Sequence, residues 1–178
     1  MITGHVFIAT SLDGFIARSD GDIAWLLERD DPDEDHGYDA FLADIDIILM
    51  GRETFEKMRT VMPWPYSRPV VVLSSKMAQT DLPDDLTKKV RIVNKAPEEA
   101  MRMLEIEGHR KVYVDGGLLI QSFLRAGLIS DMVITSVPVL LGDGRRLFGK
   151  VRADISLRLE ETKRFPSGLV QSRYRVDA

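Results

Sequence analysis

Residues Lys111–Leu124, KVYVDGGLLIQSFL, decide the fold. Lys111–Val114 has the composition of a short buried strand. Asp115-Gly116-Gly117 is a turn in which two successive positions carry no side chain. Leu118, Leu119, Phe123 and Leu124 then recur at a helical spacing. A strand, a glycine pair and a helix in that order leave unpaired N–H groups and the positive end of a helix dipole at the carboxyl edge of a sheet. A phosphate can sit there. The same order recurs upstream in Ile45–Met58, IDIILMGRETFEKM, where Gly51 separates an apolar strand from a helix opening on Arg52. Glycine at one strand–helix junction is common on steric grounds alone. Two such junctions in one small chain point to a ligand with extended phosphates, a dinucleotide.

Outward from these units the pattern is that of an α/β protein. Gly4–Thr10 is a short apolar run rich in β-branched residues, followed by a loop, Ser11–Ala17, that turns on Gly14. Asp30–Asp35 (DDPDED) is the most acidic run. It does not fit a calcium loop, because the glycine comes late, at Gly37, and the twelfth position is Leu42. It is expected to open a short helix with Asp33 or Asp35 as N-cap and with Tyr38, Phe41 and Leu42 on one face. Pro69–Leu73 (PVVVL) has the continuous apolar character of a buried parallel strand and ends in Ser74-Ser75-Lys76. Pro97–Glu107 is an amphipathic helix with proline in its first turn. Met132–Leu141 is a long strand interrupted at Pro138, which implies an edge position or a bulge. Ile155–Thr162 and Leu169–Val176 alternate about a Pro166-Ser167-Gly168 turn, as an antiparallel hairpin does. Counting the short strand Val90–Val93, the expectation is about eight strands in one mixed, mostly parallel sheet with right-handed crossovers. No linker divides residues 1–178, so a single domain is expected.

The chain has 178 residues, a formal net charge of −4 and no cysteine. The charge argues against a nucleic-acid surface, and the missing thiols exclude disulfides, thiolate nucleophiles and cysteine-ligated zinc. The three histidines, His5, His36 and His109, show no metal-ligand spacing. The opening residues carry no basic segment followed by a long apolar stretch, so no signal peptide is expected, and a reducing cytoplasm is the expected location. The G-x-G-x-x-G fingerprint is absent, so a nicotinamide cofactor would need a different cradle. Gly51-Arg52-x-Thr54 offers bare backbone, a guanidinium and a hydroxyl to a pyrophosphate. Ser74-Ser75-Lys76 offers two hydroxyls and an ammonium to an adenosine 2′-phosphate, with simple strand termination as the alternative.

The order of these motifs resembles dihydrofolate reductase and its relatives: Asp13-Gly14-x-Ile16-Ala17 after the first strand, then Leu49-Met50-Gly51-Arg52-x-Thr54-Phe55, Val72-Leu73-Ser74-Ser75 and Val114-Asp115-Gly116-Gly117. The versions Ser11-Leu12-Asp13-Gly14 and Pro138-Val139-Leu140-Leu141-Gly142 are more similar to the reductase domain of the bifunctional deaminase–reductase of riboflavin biosynthesis and its stand-alone bacterial relatives. The resemblance covers nearly the whole chain. It implies a dihydrofolate-reductase-like three-layer fold and an NADPH-dependent reductase, commonly a homodimer. It places the pyrophosphate over Gly51, Arg52, Thr54, Gly116 and Gly117, flanked by Asp115, Leu118 and Leu119. The 2′-phosphate falls near Leu73, Ser74, Ser75 and Lys76, and the nicotinamide between Ala9 and the loop of Leu12, Asp13, Gly14 and Ile16. On this view a side chain at Gly117 fills the phosphate space and leaves the fold intact.

The implied acceptor is a pterin-like or aminopyrimidine ring, as in 5-amino-6-(5-phosphoribosylamino)uracil reduction. The alternatives are dihydrofolate reductase activity and a non-catalytic NADPH-binding module. The zinc deaminase half has no counterpart. In dihydrofolate reductase a carboxylate on the first helix holds the pterin. Asp35 and Asp39 are the residues able to take that catalytic place, with a cap or a solvated face as the plainer role of each. Arg145, with Arg146, could meet a substrate phosphate, and Trp25, Tyr38 and Trp64 could wall a planar-ring pocket, core packing being the default for such aromatics.

Overall fold

The computed structural model describes residues 1–177. In chain order the elements are β1 (Thr3–Ser11), β2 (Phe15–Ala17), α1 (Ala24–Leu27), α2 (Tyr38–Ala43), β3 (Ile47–Gly51), α3 (Arg52–Met58), β4 (Val70–Leu73), β5 (Val90–Val93), α4 (Pro97–Ile106), β6 (Lys111–Asp115), α5 (Gly117–Arg125), β7 (Ile129–Val137), β8 (Arg145–Arg146), β9 (Leu157–Arg164) and β10 (Val170–Val176). Eight strands form one sheet in the order β5-β4-β3-β6-β1-β7-β10-β9, and β2 with β8 makes a small separate ribbon. Every neighbouring pair from β5 to β7 is parallel, whereas β10 runs antiparallel to both β7 and β9.

Alternation along the inner strands makes this a three-layer structure. Ile47 and Leu49 of β3, Val71 of β4 and Val112 and Val114 of β6 face a core with Ala100, Met101 and Leu104 of α4 and Ile120, Phe123 and Leu124 of α5. The intervening Ile48, Met50, Val70, Val72 and Tyr113 face the other way, onto Leu42 of α2 and Phe55 of α3. Both faces are thus buried, which is why these strands are continuous apolar runs. Phe55 and Phe123 are fully buried and anchor α3 and α5. Truncating either to alanine is expected to cost about 3–5 kcal/mol.

Several expectations are corrected. β7 ends at Val137, directly before Pro138, and lies inside the sheet between β1 and β10, so it is neither an edge nor continued to Leu141. Proline cannot donate to the ladder, and the chain leaves the sheet there. α2 begins after Gly37, whose left-handed φ of 79° makes the turn; Asp35 bonds the Gly37 N–H at 2.7 Å and does not cap the helix, and neither does Asp33. Leu118 lies on the solvent side of α5, with Ile120 rather than Leu118 joining Phe123 and Leu124 in the core.

Candidate active site

The two glycine junctions lie side by side. β3 and β6 are parallel neighbours in a register that pairs Met50 with Asp115, so Gly51 and Gly116 follow at the same sheet edge. Neither α3 nor α5 has a side-chain N-cap. The first helical bond of α5 runs from the Ile120 N–H to the Gly116 carbonyl at 2.8 Å, which leaves the N–H groups of Gly117, Leu118 and Leu119 without helical acceptors. A β-carbon on Gly116 would strike the Thr54 hydroxyl, so the two helix starts touch. A β-carbon on Gly51 would meet nothing within 4 Å. Gly51 therefore borders open space at a point where two sets of free donors converge, and this arrangement fits a pyrophosphate.

Gly117 does not border that space. Its β-carbon would lie 2.8 Å from Ile16 Cδ1 and 3.0 Å from the Arg146 carbonyl oxygen. The glycine is there because β2 and β8 pack directly against the start of α5. A side chain at Gly117 would disturb the fold, contrary to the expectation drawn from sequence.

The other residues expected at the cofactor lie around this edge. Ser74 Oγ accepts from the Lys76 and Met77 N–H groups at 3.1 Å, shaping the turn after Leu73, while Ser75 and the Lys76 ammonium are exposed. The Arg52 guanidinium is bonded to both Glu56 oxygens at 3.0 and 3.1 Å, so reaching a phosphate would require it to leave that pair. Ala9 lies near the end of β1, packed against the cluster of Trp25, Val137, Phe165 and Leu169. Leu12 is exposed, with its N–H on the Val139 carbonyl at 2.9 Å. Asp13 faces the protein. Its carboxylate accepts from Ser11 Oγ at 2.6 Å and from the Leu141 and Gly142 N–H groups at 3.1 and 2.8 Å. The Ser11 hydroxyl and those two backbone N–H groups hold it down to about 2, overcoming the opposing effect of burial. Asp13 thus joins the Ser11–Gly14 loop to the Pro138–Gly142 segment, the two motifs most distinctive in the sequence.

Asp115 has the most unusual setting. The Tyr66 hydroxyl donates to its Oδ2 at 3.2 Å. The Tyr113 hydroxyl, beside the same carboxyl, donates to the Phe7 carbonyl at 2.9 Å. Burial raises Asp115 to about 6, outweighing the lowering influence of Tyr66, the Gly116 N–H and Tyr113. Burial, and then the nearby Asp115 charge, push the hydroxyls of Tyr38, Tyr66 and Tyr113 upward. Phe7, Tyr38, Phe41 and Tyr113 stack edge to face or tilted, with centroids 5.1 to 6.4 Å apart.

Of the other expected substrate and catalytic residues, Tyr38 alone belongs to this aromatic wall. Asp39 is exposed on α2, and its charge is felt at the Tyr38 hydroxyl. Asp35 lines a cleft of about 380 Å³ with His5, Asp131, Lys163 and Arg173, on the side of α2 toward the antiparallel strands. Trp25 is 3% exposed and packs in the core behind Ala9. Arg145 pairs with Glu53 at 2.8 Å on the outer side of α3, and Arg146 lies 4.6 Å from the Phe15 ring centroid. Trp64 packs between Phe55 and Tyr66. Sequence reasoning missed Tyr66 and Tyr113 as partners of Asp115. The available signal was the strand alternation that puts Tyr113 and Asp115 on one face.

The sheet order and paired glycine junctions define a dihydrofolate-reductase-like α/β protein with two uncapped helix starts at one sheet edge. Residues 3–171 match the model of the RibD C-terminal domain, and the chain belongs to that family. It is 32% identical over 163 residues to the uncharacterized protein YwjB of Bacillus subtilis, covering 90% of each chain, and 28% identical over 179 residues to YyaP of the same organism. A solved structure from Shewanella sp. PV-4, described as a "putative riboflavin biosynthesis protein", superposes with a TM-score of 0.93 at 36% identity, covering 99% of this chain and 100% of that one. The Thermotoga maritima diaminohydroxyphosphoribosylaminopyrimidine deaminase/5-amino-6-(5-phosphoribosylamino)uracil reductase shares the fold at a TM-score of 0.75 and 16% identity. This chain covers 57% of that longer protein's length. Among the described residues no helix is long and apolar enough to cross a membrane.

Proposed function

We propose that the protein is an NADPH-dependent reductase of pterin-like or aminopyrimidine rings, of the 5-amino-6-(5-phosphoribosylamino)uracil reductase type. The observation that carries this reading is the carboxyl of Asp115, poised near 6 beside an aromatic wall and adjoining two uncapped helix starts. The names borne by the Shewanella and Thermotoga proteins support the same chemistry. Gly51, Thr54, Gly116 and the free N–H groups at the start of α5 would hold the pyrophosphate. Ser74, Ser75 and Lys76 would hold the 2′-phosphate, and Ala9 with the Leu12–Ile16 loop would face the nicotinamide. NADPH, when bound, supplies the hydride. Asp115, near 6, would exchange a proton close to neutral pH as a general acid must, and Tyr66 orients that carboxyl. Phe7 and Tyr38 offer partly open rings against which a planar acceptor would stack, with Tyr113 packed behind them. Asp39 on α2, with Asp35 in the segment before it, would meet the ring's far edge. By the same family likeness the reading includes a cytoplasmic homodimer.

The test is a fluorescence titration of the purified protein with NADPH and NADH, followed by loss of NADPH absorbance with the aminouracil or with dihydrofolate. Tight, NADPH-preferring binding with consumption on the aminouracil is expected. Consumption on dihydrofolate alone would transfer the reading to dihydrofolate reductase activity. Binding without turnover would leave a cofactor-binding module, and no binding of either nucleotide would overturn the reading.

A further inference from the structure

The acidic segment before α2 holds a carboxylate that faces inward. The Glu34 side chain is 7% exposed. Its Oε1 accepts from the Ser167 N–H at 2.7 Å and its Oε2 from the Ser167 hydroxyl at 2.5 Å, with His36 Nε2 3.3 Å away. Ser167 is in the turn between β9 and β10, 133 residues further along the chain. A carboxylate withdrawn from water is stable only when its oxygens are bonded, and here three donors do this.

Nearby contacts extend the clasp. The His36 ring lies 4.6 Å from that of Phe165, and its carbonyl accepts from Gln171 Nε2 at 3.1 Å. Gln171 also bonds the buried Thr135 hydroxyl of β7 at 3.0 Å. On one side of the clasp the chain passes through Gly37 straight into Tyr38, the α2 residue whose ring stands 5.4 Å from Phe7. On the other side Phe165 and Leu169 pack with Trp25 and Val137 against Ala9. Both ends therefore lead to walls of the candidate active site.

We propose that Glu34 is a positioning residue that, by clasping the β9–β10 turn, sets where Tyr38 stands against Phe7 and Asp115. This rests on the proposed reductase reading for its kinetic consequence. Glu34→Gln keeps the shape but loses the charge and one acceptor oxygen. In the full chain it is expected to lower kcat/KM about tenfold through the KM of whichever acceptor the wild type reduces, the aminouracil or dihydrofolate. The NADPH Kd is expected to stay within about twofold, because Glu34 touches neither glycine junction and the packing of Phe165 and Leu169 against Ala9 does not run through its carboxylate. Ser167→Thr retains the hydroxyl and the N–H and should match the wild type. If Glu34→Gln fails to fold, Ser167→Ala removes a single bond and takes its place.

Amide exchange on the nucleotide-free protein gives a readout independent of turnover. The variant is expected to exchange faster in α2 and at Tyr113–Asp115, and unchanged in α3. Faster exchange confined to residues 30–37 and 165–168, or a parallel loss of NADPH affinity, would overturn the positioning role. A wild type that reduces neither acceptor would defeat the reductase reading, and the exchange pattern would still decide the clasp.

Discussion

Gly51 and Gly117 carry the same sequence signature, a small residue between a parallel strand and a helix, and they have opposite physical reasons for it. Gly51 has an extended backbone, φ −81° and ψ 163°, and open space where its side chain would be. Any residue could adopt that conformation, so the absence of a side chain serves whatever occupies the space. Gly117 is buried, and the space beside it is filled by Ile16 and the Arg146 carbonyl. One glycine leaves space open and the other admits the rest of the protein. A glycine motif marks close approach without saying what approaches.

The largest effect is expected at Gly117. Valine there must displace a backbone carbonyl, and we expect a loss of roughly 3 kcal/mol or more of stability. Thermal unfolding measures it; a variant with the wild-type Tm that loses only NADPH binding would erase the distinction between the two glycines.

Asp115, one residue from the junction, comes next. Asp115→Asn is expected to reduce kcat/KM about a hundredfold, in the range of a lost general acid. Stability should move the other way. The folded group titrates near 6, above the ordinary carboxylate value, so the folded state binds this proton more tightly than the unfolded chain. The penalty for its charge is absent below about pH 4, grows as pH rises through the folded value, and is complete above it. Asn should therefore raise stability, read as Tm, more at about pH 8 than at about pH 4, the two differing by at most about 3 kcal/mol. A pH-independent change in Tm would refute the raised value.

Gly51→Val should fold normally and lose about thirtyfold in NADPH affinity, roughly 2 kcal/mol. Unaltered affinity would place the pyrophosphate elsewhere. The smallest effect is at the far end of the open side, where Lys76→Ala is expected to weaken NADPH about tenfold and NADH less than about twofold. Equal losses would remove Lys76 from the 2′-phosphate.

The inner sheet was legible because strands buried on both faces are uninterrupted apolar runs, and each ends at a glycine, a serine or a proline. The edge where Gly51 and Gly116 meet was legible for the same reason. The start of α2 was hidden because a left-handed glycine made the turn while Asp35 bonded that glycine's own N–H. The β2–β8 ribbon was too short to show a period. Nothing local announces that Tyr38, Tyr66 and Tyr113 converge on Asp115, since they come from a helix, a proline-rich loop and a strand. Trp25 illustrates the limit from the other direction: an aromatic residue near a loop looks available for a substrate, and here the hairpin covers it.

Of the strands in the sheet, β1 waits longest along the chain for its neighbours. β1 occupies the middle of the sheet, yet its partners begin only at Lys111 and Ile129. A nascent chain that has emerged through β5 can assemble β3, β4 and β5, while the apolar stretch around Val6 and Ile8 waits without a neighbour on either edge. At about 5–20 residues per second, the hundred or so residues between β1 and β6 take roughly 5–20 s to synthesise. During that interval the edges that will become the centre of the protein are unpaired. Translation speed between β1 and β6, which leaves the finished fold untouched, sets how long this strand is open to pairing with other chains.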